Sequence, residues 1–544
     1  MRLYILLLTL AIFNLSGISQ TTKSEKPKLV VGIVVDQMRN DYIDRFWNKY
    51  GDDGFKRLVN NGYRFKNAHF NYVPTYTGPG HASVYTGTTP AIHGIVGNNW
   101  YDKTLDTSVY CAEDATAISV GTLDDAGMMS PHRMSVTTIA DENRLATQMR
   151  GKTIGIALKD RGAILPAGHT ANAAYWFHGK DEGRWISSNF YMESLPQWVV
   201  AFNNSGTAES YFKTWNTLYP IETYVESGSD MNKFEGGFKG KETATFPYDL
   251  QKLRADNNNF ELLKAVAFGN DLTTDFAIAA IEGEKLGQRD ETDLMTLSYS
   301  STDYVGHNFG VNSKEVQDTY LRLDKNIAEL LNYLDTTVGK DEYIVFLTAD
   351  HAAVDVPAYL DSLKIPAGYF DSRSFRASVD SWVEKEYDSK KLIKNISNNQ
   401  LFFNYQLLNE MNIDINDFQQ KLSNYILAQD NISRVYNREQ IVNGAFTKGM
   451  DALIKNGFNH KRSGDLIYVL DPAFISYSRT GSTHGSSFMY DTHVPILFYG
   501  KGVKSGSSSR RSEIVDIAPT IAVMLGISFP SGATGEPLYW MLDE

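Results

Sequence analysis

Three apolar runs in this chain each lead into acidic residues: LVVGIVVD ends on Asp36, DLMTLSYSSTD runs into Asp303, and EYIVFLTADH ends on Asp350 and His351. Between and around them, strand-like runs alternate with helical patterns. Leu29 to Val35, Tyr63 to Phe70, Lys152 to Lys159, Leu294 to Tyr299, Tyr343 to Thr348 and Val494 to Tyr499 read as strands. Phe46 to Asn60, Thr274 to Leu286, Lys314 to Leu334 and Ile514 to Leu525 carry helical periodicity, and His81 to Tyr85 lies inside a short helix. Such alternation predicts an α/β fold with a mainly parallel central sheet and helices on both faces. In an open sheet of that kind ligands bind at the carboxyl ends of the strands, which is where these runs place their carboxylates and imidazoles.

Two regions interrupt the pattern. Residues 189–270 are rich in aromatic, Gly, Asn and charged residues and read as a decorated loop region. Residues from about 367 to about 461 hold the helical stretch Asp417 to Leu427 and the strand candidate Gln400 to Tyr405, enough for a small α+β cap inserted into the main domain. The N-terminus, Met1-Arg2 followed by an apolar stretch from Leu3 to Leu15 and small residues up to Ser19, reads as a secretory signal peptide spanning 1–19. The expected mature chain, 20–544, is then exported, with one catalytic domain and no membrane span. Its single cysteine, Cys111, excludes an internal disulfide and reads as a buried thiol. A formal net charge of -12 without a long basic run excludes nucleic acid as the main partner.

Taken singly, each candidate residue has a plain explanation. An Asp after a strand is commonly a helix cap or turn former, and His484, in the small-residue loop GSTHGS, would pass as a surface histidine. Taken together they form a pattern. Asp303 and His307 stand four apart, on one face of a helical turn, and Asp350-His351 can reach one centre together where a strand ends and the backbone turns. Three Asp and three His supply two sets of nitrogen and oxygen ligands, which suits zinc. Two metals would clamp the attacking and leaving oxygens of an in-line displacement at phosphorus. Thr77, in VPTYTGPGHASVYTG, supplies a hydroxyl at the head of a helix, as an N-cap, as a nucleophile, or as both. Lys159 and Arg161 follow the run KTIGIALK; two residues apart in extended backbone, they would leave one face and favour a dianionic phosphate monoester. His69, His81, His93, His169 and His493 read as packing or supporting groups rather than ligands.

The motifs VVDQMRNDY, YVPTYTGPGHASVYTG, GNNWYD, LKDRGAILPAG, SSTDYVGHNFG, LTADHAA and STHGS resemble those of the alkaline phosphatase superfamily, and within it the periplasmic, phosphate-irrepressible (PafA-type) enzymes with a Thr nucleophile. The resemblance implies two Zn2+ per chain, one held by Asp303, His307 and His484 and the other by Asp36, Asp350 and His351. It implies that Thr77 bridges toward the metals as a covalent nucleophile, and that Asn98, Lys159 and Arg161 contact the phosphoryl oxygens. The function it implies is hydrolysis of small-molecule phosphate monoesters through a phosphothreonine. The nearest alternative is a nucleotide pyrophosphatase/phosphodiesterase of the same superfamily, against which the Lys159–Arg161 pair argues. A phosphate-binding or surface-interaction protein with a dead site is disfavoured because every ligand and the nucleophile are present. The sequence leaves physiological substrate and oligomeric state open.

Overall fold

The computed structural model of the chain describes residues 26–542, so the expected signal segment lies outside the described residues. Ten strands form one sheet: β1 (Leu29–Val35), β2 (Tyr63–His69), β3 (Ser119–Val120), β4 (Thr153–Ala157), β5 (Ala173–His178), β6 (Arg184–Ser188), β7 (Asp293–Tyr299), β8 (Tyr343–Thr348), β9 (His493–Gly500) and β10 (Gly506–Glu513). Their order is β10-β2-β9-β8-β1-β7-β4-β5-β6-β3. The five neighbours β8, β1, β7, β4 and β5 run parallel; only β9 and β6 run against the rest. Every residue of β1, β4, β7 and β8 is buried, so both faces of the sheet centre are covered, as a parallel sheet between helical layers requires. The expected fold class therefore holds, with the qualification that the sheet is mixed at its flanks.

Register decides where the chemistry can sit. Val35 pairs with Tyr299, Val34 with Thr348 and Ser298 with Ala157, so four adjacent parallel strands end level. The next few residues of each strand then emerge side by side: Asp36, Ser300 onward, Asp350 and Lys159. The helix Lys314–Leu334 matches its expected bounds, and its amphipathic face packs into the main core. The expected helix over Phe46 to Asn60 is instead broken: only Phe55–Asn61 is α-helical there, after the turn at Gly51 to Gly54. A Cβ on Gly54 would collide with Asp324, whose carboxylate accepts the Gly51 and Phe55 N–H groups, so a tertiary contact fixes that turn. Strands Ile393–Ser397, Gln400–Phe403, Ile432–Asn437 and Leu466–Leu470 form a separate antiparallel sheet. Helices Ser372–Tyr387 and Ile415–Leu427 cover it, and Val379, Leu401, Phe418 and Leu422 lie in its own core.

Candidate active site

Strand β1 delivers Asp36 directly, and the residue after it, Gln37, turns the chain at φ 63. Its N–H donates to Asp350 Oδ1 at 3.1 Å and its side-chain amide donates to Asp303 Oδ1 at 2.6 Å. A left-handed non-glycine residue at a strand end is costly unless its surroundings hold it, and here the two carboxylates do so. Gln37 was not among the residues singled out by sequence; its one signal is its place immediately after Asp36.

Helix Ser301–Phe309 carries Asp303 and His307 one turn apart, with His307 Nε2 3.1 Å from Asp303 Oδ1. Asp350 and His351 leave β8 as the backbone turns, and His351 Nε2 lies 3.4 Å from both Asp350 Oδ2 and Asp36 Oδ1. His484 comes in from the loop before β9 and stacks on His351 with ring centroids 3.4 Å apart. Two groups of ligand-type atoms result, each within 4.8 Å of one another: Asp36, Asp350 and His351 in one, and Asp303, His351 and His484 in the other. All six expected ligands are brought together. The division differs in detail from the expected one, because His351 lies between both groups while His307 joins through Asp303.

The imidazoles share one arrangement. Nδ1 of His307 faces the Ser482 carbonyl at 2.7 Å, Nδ1 of His484 the Thr75 carbonyl at 2.7 Å, and Nδ1 of His351 the Ala352 carbonyl at 3.1 Å. A carbonyl can only accept, so each Nδ1 carries a proton and each Nε2 is the ring atom turned toward the carboxylates, where a metal would take the place of a second proton.

Electrostatics point the same way. Asp36, Asp303 and Asp350 are buried, and the one ammonium among them is Lys159, 2.6 Å from Asp36 Oδ2 and paired also with Asp303 Oδ2. Burial, and then the charges of Asp303 and Asp350, push the Asp36 carboxyl well above its usual range. Burial also disfavours ionised Asp303, yet His307 and Lys159 beside it hold that carboxyl well below. Burial and the neighbouring His351 keep His484 neutral. Asp36 Oδ1 and Asp350 Oδ2 have no hydrogen-bond partner although both are buried. Orphaned carboxylate oxygens facing imidazole Nε2 atoms are a donor set for divalent cations, and the residues present fit a pair of them.

Thr77 is the first residue of helix Thr77–Thr86, whose N-cap is Tyr76, so the capping role open to Thr77 falls to its neighbour's position. The buried Thr77 hydroxyl lies 3.5 Å from His351 Nε2. Two glycines let the helix approach: a Cβ on Gly80 would strike the Asp350 carbonyl, and one on Gly78 would crowd Asn98 and Cys111. Gly78 N–H donates to Asn98 Oδ1 at 2.7 Å, which leaves the Asn98 amide donors uncommitted. Cys111 is buried, and burial pushes its thiol up to about 12, so it packs as an inert group beneath this loop. His81 is held by the Thr77 carbonyl and Ser298 Oγ and sits 3.3 Å from Asp350, in a supporting position.

Lys159 and Arg161 are not on one extended strand. β4 ends at Ala157, Lys159 is the N-cap of helix Asp160–Ala167, and Arg161 is inside its first turn. Each is placed by a different tyrosine. The Lys159 ammonium lies 5.0 Å from that ring's centroid, while Arg161 is held by the Tyr110 hydroxyl at 3.1 Å and keeps a buried Nε without a partner. Tyr110 and Tyr304 were not anticipated, since neither residue type nor spacing marks them.

Residues 30–493 match the family described as type I phosphodiesterase/nucleotide pyrophosphatase. Alkaline phosphatase PafA of Elizabethkingia meningoseptica and alkaline phosphatase PhoV of Synechococcus elongatus are each 42% identical to this chain, over 98% of it and 98% and 99% of their own lengths. A calcium-transporting ATPase of Myroides odoratus is 44% identical over 96% of each chain; no helix among the described residues here is long and apolar enough to cross a membrane. The crystal structure of wild-type PafA superposes with a TM-score of 0.92 at 41% identity, covering 95% of this chain and 99% of that one. A PafA variant substituted at one Thr, one Asn, one Lys and one Arg gives 0.91 at 40% identity over the same shares. With full-length relatives and a shared fold of this quality, the chain belongs to the alkaline phosphatases of the type I phosphodiesterase/nucleotide pyrophosphatase family.

Proposed function

We propose that this enzyme is an exported, periplasmic phosphomonoesterase that works through a covalent phosphate on Thr77, with two zinc ions held by Asp303, His307 and His484 and by Asp36, Asp350 and His351. The observation that carries it is the Thr77 hydroxyl: buried, free of capping duty, and directed at the His351 Nε2 that both ligand groups share. When bound, the metals would lower the pKa of a hydroxyl and offset charge on the entering and leaving oxygens.

The protein's own groups do the rest. The helix opening at Thr77 presents its positive end to the phosphoryl group, and Asn98 offers the amide donors left over from its bond to Gly78. Arg161, positioned by Tyr110, offers guanidinium donors with no competing partner, and Lys159 adds a second cation. Two dications among three carboxylates and one lysine would turn a buried excess of negative charge into an excess of positive charge, which suits a dianion. The Thr, Asn, Lys and Arg altered together in the solved PafA variant agree in type and order with Thr77, Asn98, Lys159 and Arg161. The four-stranded unit around Val379 and Leu401 is proposed as a cap, since its residues Ile467 to Leu470 line a cavity of about 160 Å³ that also reaches Tyr76 and His484.

The family description favours one second reading, a phosphodiesterase. Comparing kcat/KM for an aryl phosphate monoester and diester on metal-analysed protein separates the two. The wild type should prefer the monoester, and Arg161→Ala should lower monoester turnover about 10²- to 10³-fold with far less effect on the diester. Preference for the diester, or equal losses on both, refutes the monoesterase reading.

A further inference from the structure

The cavity of about 160 Å³ that reaches Tyr76 and His484 takes no part in the chemistry above. Those two residues tie it to the site: Tyr76 precedes Thr77, His484 is one of the six ligand-type residues, and their rings meet edge to face at 5.8 Å between centroids. The four-stranded unit supplies Ile467 and Val469 to its wall, and Val73, Ile454 and Phe488 add further apolar surface.

Two polar groups in the same lining lack what burial requires. Asp491 is 1% exposed; its Oδ2 accepts from Ser486 N–H at 2.8 Å, while its Oδ1 is buried with no partner. Ser487 Oγ is likewise buried without a partner, so the two do not satisfy each other. Buried polar atoms left unpaired are uncommon in native folds, and an occupant of the cavity accounts for both. Its size and chemistry follow from the lining. An apolar cavity of about 150 Å³ takes benzene, so a single ring fills this one. A carboxylate oxygen needs a donor and a serine hydroxyl can give or take, so a hydroxyl on the occupant suits both.

We infer that this cavity receives the alcohol half of the substrate, a single compact ring bearing a hydroxyl; the inference rests on the monoesterase reading above. An alcohol esterified to a phosphoryl group held beside Thr77 and His484 has this cavity as its enclosed neighbour. The enzyme then selects ring-bearing phosphate esters over short alkyl ones, and the four-stranded unit takes part in recognising the alcohol.

The test compares ethyl, phenethyl and para-hydroxyphenethyl phosphate on zinc-replete full-length protein. Their leaving alcohols are alike in acidity, so differences in kcat/KM report binding of the ring. The wild type should favour phenethyl over ethyl phosphate by about 10- to 100-fold, and the hydroxylated ester by about a further 3- to 10-fold. Val469→Phe, which fills the cavity, should bring the first ratio close to one. Ser487→Ala should remove most of the second, and it supplies the test should the larger side chain prevent folding. Calorimetry gives a readout without turnover: para-hydroxyphenethyl alcohol should bind the wild type saturably and Val469→Phe far more weakly. Equal kcat/KM for the three esters, or no binding of the alcohol, overturns the inference and leaves the monoesterase reading standing, as do variants that keep the wild-type ratios. Hydrolysis of none of the three esters brings down the monoesterase reading itself, and this inference with it.

Discussion

At the scale of single residues, the reading rests on what the Thr77 hydroxyl does not do. It neither caps its helix nor finds a better partner than His351 at 3.5 Å, so its chemistry is uncommitted in the resting fold. Thr77→Ala should therefore remove nearly all phosphomonoesterase activity, on the order of 10³-fold or more, with folding and a metal content near two per chain retained. Thr77→Ser should keep a substantial part. The checks are turnover on preparations cleared of contaminating phosphatase and metal analysis of the same samples; a fully active Ala variant would sink the nucleophile assignment. Lys159 is a less clean target than Arg161. Its ammonium pairs with Asp36 and Asp303, so removing it disturbs the carboxylates as well as any substrate contact.

At the scale of elements, the site is a matter of level strand ends and one close helix. The helix Thr77–Thr86 comes near enough only because Gly80 lacks a side chain where the Asp350 carbonyl passes. Gly80→Ala should push the helix away from β8, costing about 1–3 kcal/mol of stability. Because Thr77 and Asp350 sit on the two sides of that contact, kcat should fall with it. Thermal unfolding and steady-state kinetics on one variant check both, and an Ala variant that is less stable yet equally active would mean that the approach of the helix is not what places the hydroxyl.

At the scale of the whole molecule, acid stability has an identifiable weak point. His93 is buried, bonded to Ser83 Oγ at 2.9 Å, and burial lowers its pKa to about 3. Between about pH 6.5 and about 3 the unfolded chain binds a proton at this ring that the folded chain does not, so stability falls as pH drops through that window, by roughly 5 kcal/mol if complete. A Tm profile should decline more steeply below pH 6 in the wild type than in His93→Gln; parallel profiles would refute it.

Much of this molecule was legible from its sequence, for a physical reason. Strands buried on both faces must be written as unbroken apolar runs, and the residues that end them must be polar, so β1, β7 and β8 and the ligands after them stand out. Edge strand β10, GSSSRRSE, buries little and carried no such mark. The left-handed turn at Gln37, the placing of Arg161 by Tyr110 and of Lys159 by Tyr304, and the helix that begins at Asp160 depend on neighbours distant in sequence. One described feature reaches beyond chemistry. The oxygens that orient His307, His351 and His484 belong to the main chain at Ser482, Ala352 and Thr75, so no codon change can delete them. Genetic drift at those positions is constrained by the path of the backbone rather than by side-chain identity, and the most exacting part of the enzyme is sheltered from the commonest kind of mutation.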